Sequence, residues 1–546
     1  MKIIYTHYFL GYFLCILSLI SISSCRENVE GEIINKKKYS ENAPLGSKKG
    51  IKILLSQQDN VSFLQPDSLK LFYETNPNPT WSDLNFRNSL IEVLKKADLE
   101  GLSYSEYHGQ EIDSLTAHIQ DLDNNERSKL DLLLTDAYFQ YSSDLLNGII
   151  DPRKIHEIFD VPKNEALLGQ LLQQAIEKKD VEIALKVFRP NTPIYSDLIT
   201  ALKEYKVKKA EFEEFKDIPD GDLIKPEMQD ERMPKIKFRL MALGYLQNID
   251  PFTYDHSEAV QDGIKKLQLE NGLLADGIIG NSTIALLNID YQDRYNQILA
   301  NLERWRWYPR DLGSHYILVN IANYHLDVIK NKELVRSHKT MVGTDIRKTP
   351  IFSEEIKYIV FNPTWTIPPT IKSKDVIPGV RKSTAYLSKK HLNVYNSKGE
   401  QLDPSEIDWN SKVVNSYTYR QNAGSSNPLG VVKIIYPNKH LIYLHDTPSK
   451  SLFERNSRAQ SSGCIRVQDA LGLAQYLLED QTEYDSERIQ EIIATGKTKE
   501  VKMKQHVNVH HFYWTAWMED GKPRFTEDIY KYDEKIISEL LKTTKP

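Results

Sequence analysis

The sequence predicts a multidomain α+β chain: a helical region first, a small three-helix unit next, and a mostly antiparallel β domain with a lid-like insertion last. Three observations predict it. From about residue 55 to 225 apolar residues recur at helical spacing, as at Leu90, Val93, Leu94 and Ala97. Between two further helical patterns lies a turn-rich link, Gly272 to Gly280. Beyond residue 310 the pattern alternates with a period of two, which belongs to strands with one buried face. A chain of 546 residues can hold about two to four separate cores. Its net charge of -5 gives no field that would gather nucleic acid, so no nucleic-acid partner is expected.

The N-terminus has Lys2, an apolar run from Tyr8 to Ile22, and then Ser23-Ser24-Cys25. That run is short for a membrane span and suits a secretory signal. Its end looks like a lipobox, so residues 1–24 are expected to be a signal peptide and Cys25 to carry lipid; an uncleaved anchor helix is the alternative. Both place the body outside the cytoplasm. The chain has three cysteines, Cys15, Cys25 and Cys464. Cleavage and acylation would leave Cys464 as the single thiol of an exported protein, where catalysis is a reason to keep a thiol unpaired. Residues 25–54 are polar and read as a lipid-attached flexible tether.

Residues 55–225 form the expected helical domain, with turn signals at Pro77-Asn78-Pro79, Asn147-Gly148 and Asp151-Pro152. In 226–292, Val260, Ile264 and Leu267 fall on one helix face, and Ser282-Thr283 is a cap signal for the next helix. The β domain is expected over 293–500, with strands at Tyr316–Ile321, Tyr324–Ile329, Leu334–Val342 and Ile356–Phe361. At about 370–425 the strand pattern lapses into an insertion too long for an ordinary connection. Val431–Tyr436 and Leu441–Leu444, joined by Pro437-Asn438-Lys439, then read as a hairpin that ends on His445. Residues 501–546 are left as a C-terminal extension.

Chemistry concentrates between His445 and Arg466. A histidine at a strand end can be aimed into a cleft, and Ser461-Ser462-Gly463-Cys464-Ile465-Arg466 sets a thiol between a glycine and a guanidinium. Small residues admit a carbonyl close to the backbone, where the N–H groups of Gly463 and Cys464 could face an oxyanion. Arg466 and His445 would both favour the thiolate. On the pair alone, a nucleophile with its base and a buried thiol beside a hydrogen-bonded filler both stand.

The stretch resembles the signature of the L,D-transpeptidase catalytic domain of YkuD type: His, a gap of this length, then Ser/Thr-x-Gly-Cys, an apolar residue, and Arg or Asn. Most members carry His two places before the Cys; Ser462 stands here, as in the large YcbB-like subgroup. Phe72-Tyr73 with Pro79 and Trp81 resembles that subgroup's scaffold domain, and Gly272-Leu273 through Asp276-Gly277, Gly280 and Thr283 resembles the peptidoglycan-binding domain. The resemblance implies Cys464 as nucleophile, His445 as base, the Asp446 main chain as its orienter, and Gly463 as an oxyanion donor. Arg466, Ser462 and Trp365 are then substrate-contact candidates. It implies cross-linking of peptidoglycan stem peptides through a thioester, with D-alanine released, in a periplasm-facing lipoprotein, more readily of the outer than the inner membrane. Carbapenem β-lactams would be inhibitors. The alternatives are a carboxypeptidase or wall-protein hydrolase on the same acyl-enzyme, and a non-catalytic peptidoglycan-binding lipoprotein. No cofactor is expected, and the histidines lack metal-site spacing.

Overall fold

The computed structural model describes residue 40 and residues 43–56, 62–211 and 217–543. The expected signal peptide and the lipid site at Cys25 lie outside the described residues. Among the described residues no helix is long and apolar enough to cross a membrane.

The N-terminal helical region is built around the helix Asn124–Asn147, started by a capping box in which Asp123 and Glu126 satisfy each other's backbone N–H groups. This helix is buried on nearly all sides, so its polar residues serve as staples. Asp131 accepts from Thr80 N–H (2.8 Å), Trp81 N–H (2.7 Å) and Tyr73 Oη (2.6 Å). Burial pushes its carboxyl up to about 6. Asp136 takes Leu64 N–H, Gln65 N–H and His108 Nε2, which makes His108 a structural group. The tether expected through residue 54 is shorter than that. Leu45, Ile51 and Leu54 are buried in this core, the last two on the helix Lys48–Ser56. Three apolar residues in a lysine-rich stretch give too weak a period to be read as a helix from sequence.

The three-helix unit comprises Met233–Ala242, Glu258–Glu270 and Asn281–Asn288, packed on Ile236, Leu240, Ile264, Leu267 and Ile284. The third helix starts one residue before the expected Ser282-Thr283 cap, on Gly280, and Thr283 Oγ1 instead donates back to the Ile278 carbonyl (3.2 Å).

The helix Tyr291–Trp307 joins all three parts. Glu303, Arg304 and Arg306 on it are fully buried. Glu303 accepts from Ile150 N–H (2.8 Å) and Trp307 Nε1 (3.2 Å) and pairs with Arg306 (3.1 Å), whose Nη2 donates to the Glu100 carbonyl (2.5 Å). Buried charges of this kind persist only when every partner is in place. Glu303→Ala is therefore expected to destabilise the protein by about 3–5 kcal/mol, read as a lowered midpoint in urea monitored by circular dichroism.

The C-terminal half contributes a 12-stranded sheet. Its strands are β1 (Phe159–Asp160), β2 (His315–Asn320), β3 (His325–Lys330), β4 (Glu333–Gly343), β5 (Ile351–Glu355) and β6 (Tyr358–Phe361). After the insertion, which holds β7 (Trp365–Thr366), β8 (Asn393–Tyr395), β9 (Gln401–Leu402) and β10 (Thr418–Gln421), come β11 (Val432–Ile435), β12 (Leu444–His445), β13 (Ala459–Ser461), β14 (Ile465–Val467), β15 (Lys499–Lys502) and β16 (Asn508–Phe512). The order is β1-β5-β16-β2-β3-β4-β14-β12-β11-β6-β15, with β13 paired to β4. Most neighbours are antiparallel, while β16/β2, β12/β14, β13/β4 and β1/β5 run parallel. Two boundaries differ from expectation. β1 comes from the helical region, and β16, assigned to a C-terminal extension, sits between β2 and β5 inside the sheet. Neither pairing is local, so no spacing in the sequence announces it.

The insertion folds on its own small core of Ile367, Val376, Ile377, Val380, Leu387, Val394 and Tyr419 around the sheet β7-β10-β8-β9. It stands over the ends of β12 and β14.

Candidate active site

Cys464 is delivered by a reversal between two segments that run in opposite directions along β4. β13 runs beside β4 with Ser461 opposite Gly343, the chain turns at Ser462-Gly463, and β14 re-enters between β4 and β12. Gly463 has φ +113°, a conformation that side chains rarely adopt. Ser461 ties the turn: its Oγ donates to the Cys464 carbonyl (2.6 Å) and accepts from Gly463 N–H (3.1 Å). Thr349 locks it from outside, donating through Oγ1 to the Gly463 carbonyl (2.8 Å) and accepting from Gly343 N–H (2.9 Å). Tyr530, near the chain's end, donates to the Gly343 carbonyl (2.7 Å) and accepts from Thr349 N–H (3.1 Å).

One assignment is corrected here. The Gly463 N–H, read as an oxyanion donor, is taken by Ser461 Oγ. Cys464 N–H, like Ser462 N–H, has no protein acceptor among the described residues and is left as a backbone donor at the turn.

His445 ends β12, opposite Lys433 on β11 and beside Arg466 on β14. Its Nδ1 lies 2.5 Å from the Asp446 carbonyl, so Nδ1 carries the ring proton and Nε2 is left as the basic nitrogen. The Asp446 carboxylate is engaged elsewhere, accepting Val431 N–H (3.0 Å) and pairing with Lys450. Burial, then Arg466 and Lys433, pushes the His445 pKa down to about 3, against the opposing pull of the Asp446 carbonyl. Burial also raises the Cys464 thiol, partly offset by Tyr443, Lys433 and Arg466. The resting pair is thus neutral thiol and neutral imidazole. Arg466 does favour the thiolate, as expected, but burial outweighs the nearby cations.

The thiol points at the Leu441 carbonyl, with Sγ 3.6 Å from it. That carbonyl is aimed by Asn438, whose side chain holds the Tyr436 and Ile442 carbonyls (2.6 and 2.8 Å) and the His440 and Ile442 N–H groups (3.0 and 3.1 Å). Leu441 pays for this with φ +58°, a left-handed backbone for a bulky residue at a functional site.

Two further residues escaped the sequence reading. Tyr443 lines the cleft beside Cys464 with its ring 5.6 Å from that of His445, and its N–H and hydroxyl pull the Cys464 thiol down. Lys433 lays its ammonium 3.7 Å over the Tyr443 ring, and burial pulls it below the usual lysine range. The signal available was the strand period: Tyr443 and His445 are two apart and share a face.

Tyr443 and the dyad line a cleft of about 990 Å³ between sheet and insertion. His445, Cys464, Arg466, Tyr443, Ser461 and Ser462 line it from below, Trp365, Ile371, Asp375 and Tyr386 from the insertion. The candidates Trp365, Ser462 and Arg466 thus share one cavity with the dyad. Arg466 has no carboxylate partner among the described residues; its Nη1 lies 3.9 Å from Met341 Sδ, and its buried Nε has no partner. No group of three or more His, Cys, Asp or Glu among the described residues gathers to hold a metal.

A thiol with an oriented neutral imidazole, an open N–H and flanking cations, at the floor of a lidded cleft, has the parts of a nucleophile and its base. Comparison with known proteins shows what the chain is similar to. Residues 314–484 match the L,D-transpeptidase catalytic domain (YkuD), residues 67–202 the scaffold domain, and residues 229–287 the "Putative peptidoglycan binding domain". A curated relative from Haemophilus influenzae, named "Putative L,D-transpeptidase", is 34% identical over 277 residues, 50% of this chain and 55% of its own length. The chain thus spans about half the length of that relative. Crystal structures of L,D-transpeptidases from Xylanimonas cellulosilytica and Stackebrandtia nassauensis align at 15% and 11% identity, over 54% and 56% of this chain and 99% of each of theirs. Their TM-scores of 0.18 and 0.21 are too low to say anything of a shared overall fold.

Proposed function

We propose that the protein is an L,D-transpeptidase that cross-links peptidoglycan stem peptides through a Cys464 thioester. The observation that carries the reading is the dyad itself: Cys464 and His445 share one cleft within the matched catalytic domain, with the imidazole held neutral and its basic nitrogen free. His445 Nε2 takes the thiol proton as Sγ bonds to the carbonyl carbon between the stem's third residue, diaminopimelate, and its terminal D-alanine. Cys464 N–H and the Tyr443 hydroxyl face the oxyanion. The C–N bond breaks, the imidazolium returns its proton to the leaving D-alanine amine, and a thioester remains. The side-chain amine of a second stem then attacks the thioester, joining third residue to third residue and freeing the thiol.

The lidded cleft supports attack by an amine, since a cover limits water at the acyl-enzyme. The three-helix unit supports retention on the glycan. The lipobox-like end at Cys25 supports a lipid anchor with the body facing the periplasm, Arg26 in place of an aspartate after it supports the outer membrane, and the acylable thiol supports carbapenems as inhibitors.

The test is incubation of the purified protein with a tetrapeptide muropeptide, followed by mass analysis of the products. D-alanine together with a cross-linked dimer is expected. D-alanine with tripeptide alone would establish the hydrolytic alternative, and unchanged muropeptide with binding to wall sacculi would leave a binding lipoprotein.

A further inference from the structure

The turn Gly343–Thr349 that braces the nucleophile also carries Arg347. It is tight: a Cβ on Gly343 would lie 2.1 Å from the Arg347 carbonyl. From this frame the guanidinium reaches the cleft mouth. Its Nη1 donates to Ser462 Oγ (3.0 Å) and lies 2.7 Å from Asp375 Oδ2, while Nη2 donates to Asp375 Oδ1 (2.9 Å). One hydrogen bond and a second close N···O contact hold both carboxylate oxygens, the two-point grip that a guanidinium can give any carboxylate.

The carboxylate in this grip comes from the insertion, and both Asp375 and Ser462 line the cleft that holds Cys464. Arg347 and Asp375 are 22% and 38% exposed, so the pair is open to exchange with a dissolved anion. The same cleft has Lys389 and Lys390 on its rim, neither with an ion-pair partner among the described residues. The insertion has its own core and can shift without unfolding the sheet, whereas Arg347 is fixed by the Thr349 and Tyr530 contacts.

We propose that Arg347 is a carboxylate-binding subsite for the donor stem, and that Asp375 fills it in the empty protein until the donor's carboxylate displaces it. This rests on the reading of the cleft as a stem-peptide site. Two donor groups have the right chemistry: the terminal carboxylate of D-alanine and the side-chain carboxylate of the third residue.

The experiment is calorimetric binding of a tetrapeptide stem to the full-length Cys464→Ala protein in detergent. Adding Arg347→Ala is expected to weaken binding by roughly tenfold or more, the worth of a charge-assisted fork. Arg347→Lys keeps the charge, loses the fork and falls between. Adding Asp375→Ala is expected to tighten binding by about two- to fivefold, since it removes a half-exposed competitor. Stems amidated at one carboxylate or the other assign the source: the carboxylate that sits on Arg347 is the one whose masking makes binding indifferent to Arg347→Ala. If Asp375→Ala weakens binding as much as Arg347→Ala, and the double variant is no worse than either, the pair is a latch for the insertion and the subsite is overturned. Unchanged affinity in both arginine variants, or no stem binding to the Cys464→Ala parent, also overturns it. Stem binding without turnover by the wild-type protein would count against the transferase reading alone.

Discussion

Cys464→Ala is expected to abolish covalent acylation by a carbapenem and to reduce D-alanine release from a tetrapeptide stem by roughly 10⁴-fold or more, because no other group on the cleft can take over as nucleophile. Intact mass reads the first and product analysis the second. Cys464 is the one cysteine among the described residues, and peptide mapping separates an adduct on it from one on Cys15 or Cys25. Binding to sacculi is expected to persist, since the side chain adds little to the packing around it and the three-helix unit is separate from the cleft. An adduct of unchanged mass and yield on the alanine variant would sink the thioester, whatever remained of turnover.

His445→Gln is expected to lower the acylation rate by roughly 10²- to 10⁴-fold, the range for loss of a positioned base. The pH profile tests the electrostatics more sharply. An imidazole whose pKa is held at about 3 stays unprotonated, and so competent as a base, as pH falls from 7 to 5. The wild-type rate is therefore expected to lack the acid limb near pH 6.5 that an ordinary histidine would give. At the alkaline end the rate should rise as the thiol, itself pushed up by burial, begins to ionise. Nitrogen-15 shifts of the His445 ring should report the neutral Nδ1–H form at pH 5. Lys433→Met removes one of the cations that disfavour imidazolium, so it should move the ring's titration upward. A wild-type midpoint between 6 and 7 by either readout would show that the cleft does not suppress the charge.

The sequence disclosed the parts of this site that depend on local order. His445 at a strand end and Cys464 after Gly463 follow from short-range pattern, and the period-2 runs predicted the strands that carry them. Other features depend on what meets across the fold. Nothing near Gly463 says that Ser461 will claim its N–H, because a serine hydroxyl has several partners within reach and the turn decides among them. Lys433 enters through its register opposite His445, and Arg347 through a turn more than a hundred residues before the thiol. Leu45, Ile51 and Leu54 were misread as tether because their burial needs the groove beside Asn124–Asn147, which exists only once that helix is in place. The cation beside the thiol is legible in the order of residues, whereas the desolvation that the finished cleft imposes on the thiol is not.

The position of β16 has a consequence for how the protein comes into being. β2 and β5 cannot be joined until residues 508–512 arrive between them, and Tyr530 must arrive later still to brace the turn at Gly343 and Thr349. A chain growing from its N-terminus thus has its thiol, its histidine and most of its strands long before it has a working centre. Pairings across so great a stretch of sequence form slowly and late. Chains cut short by a stop before Tyr530 should be inert toward peptides as well as unstable. The thiol becomes operative only once residues 508–530 have joined the sheet and its brace.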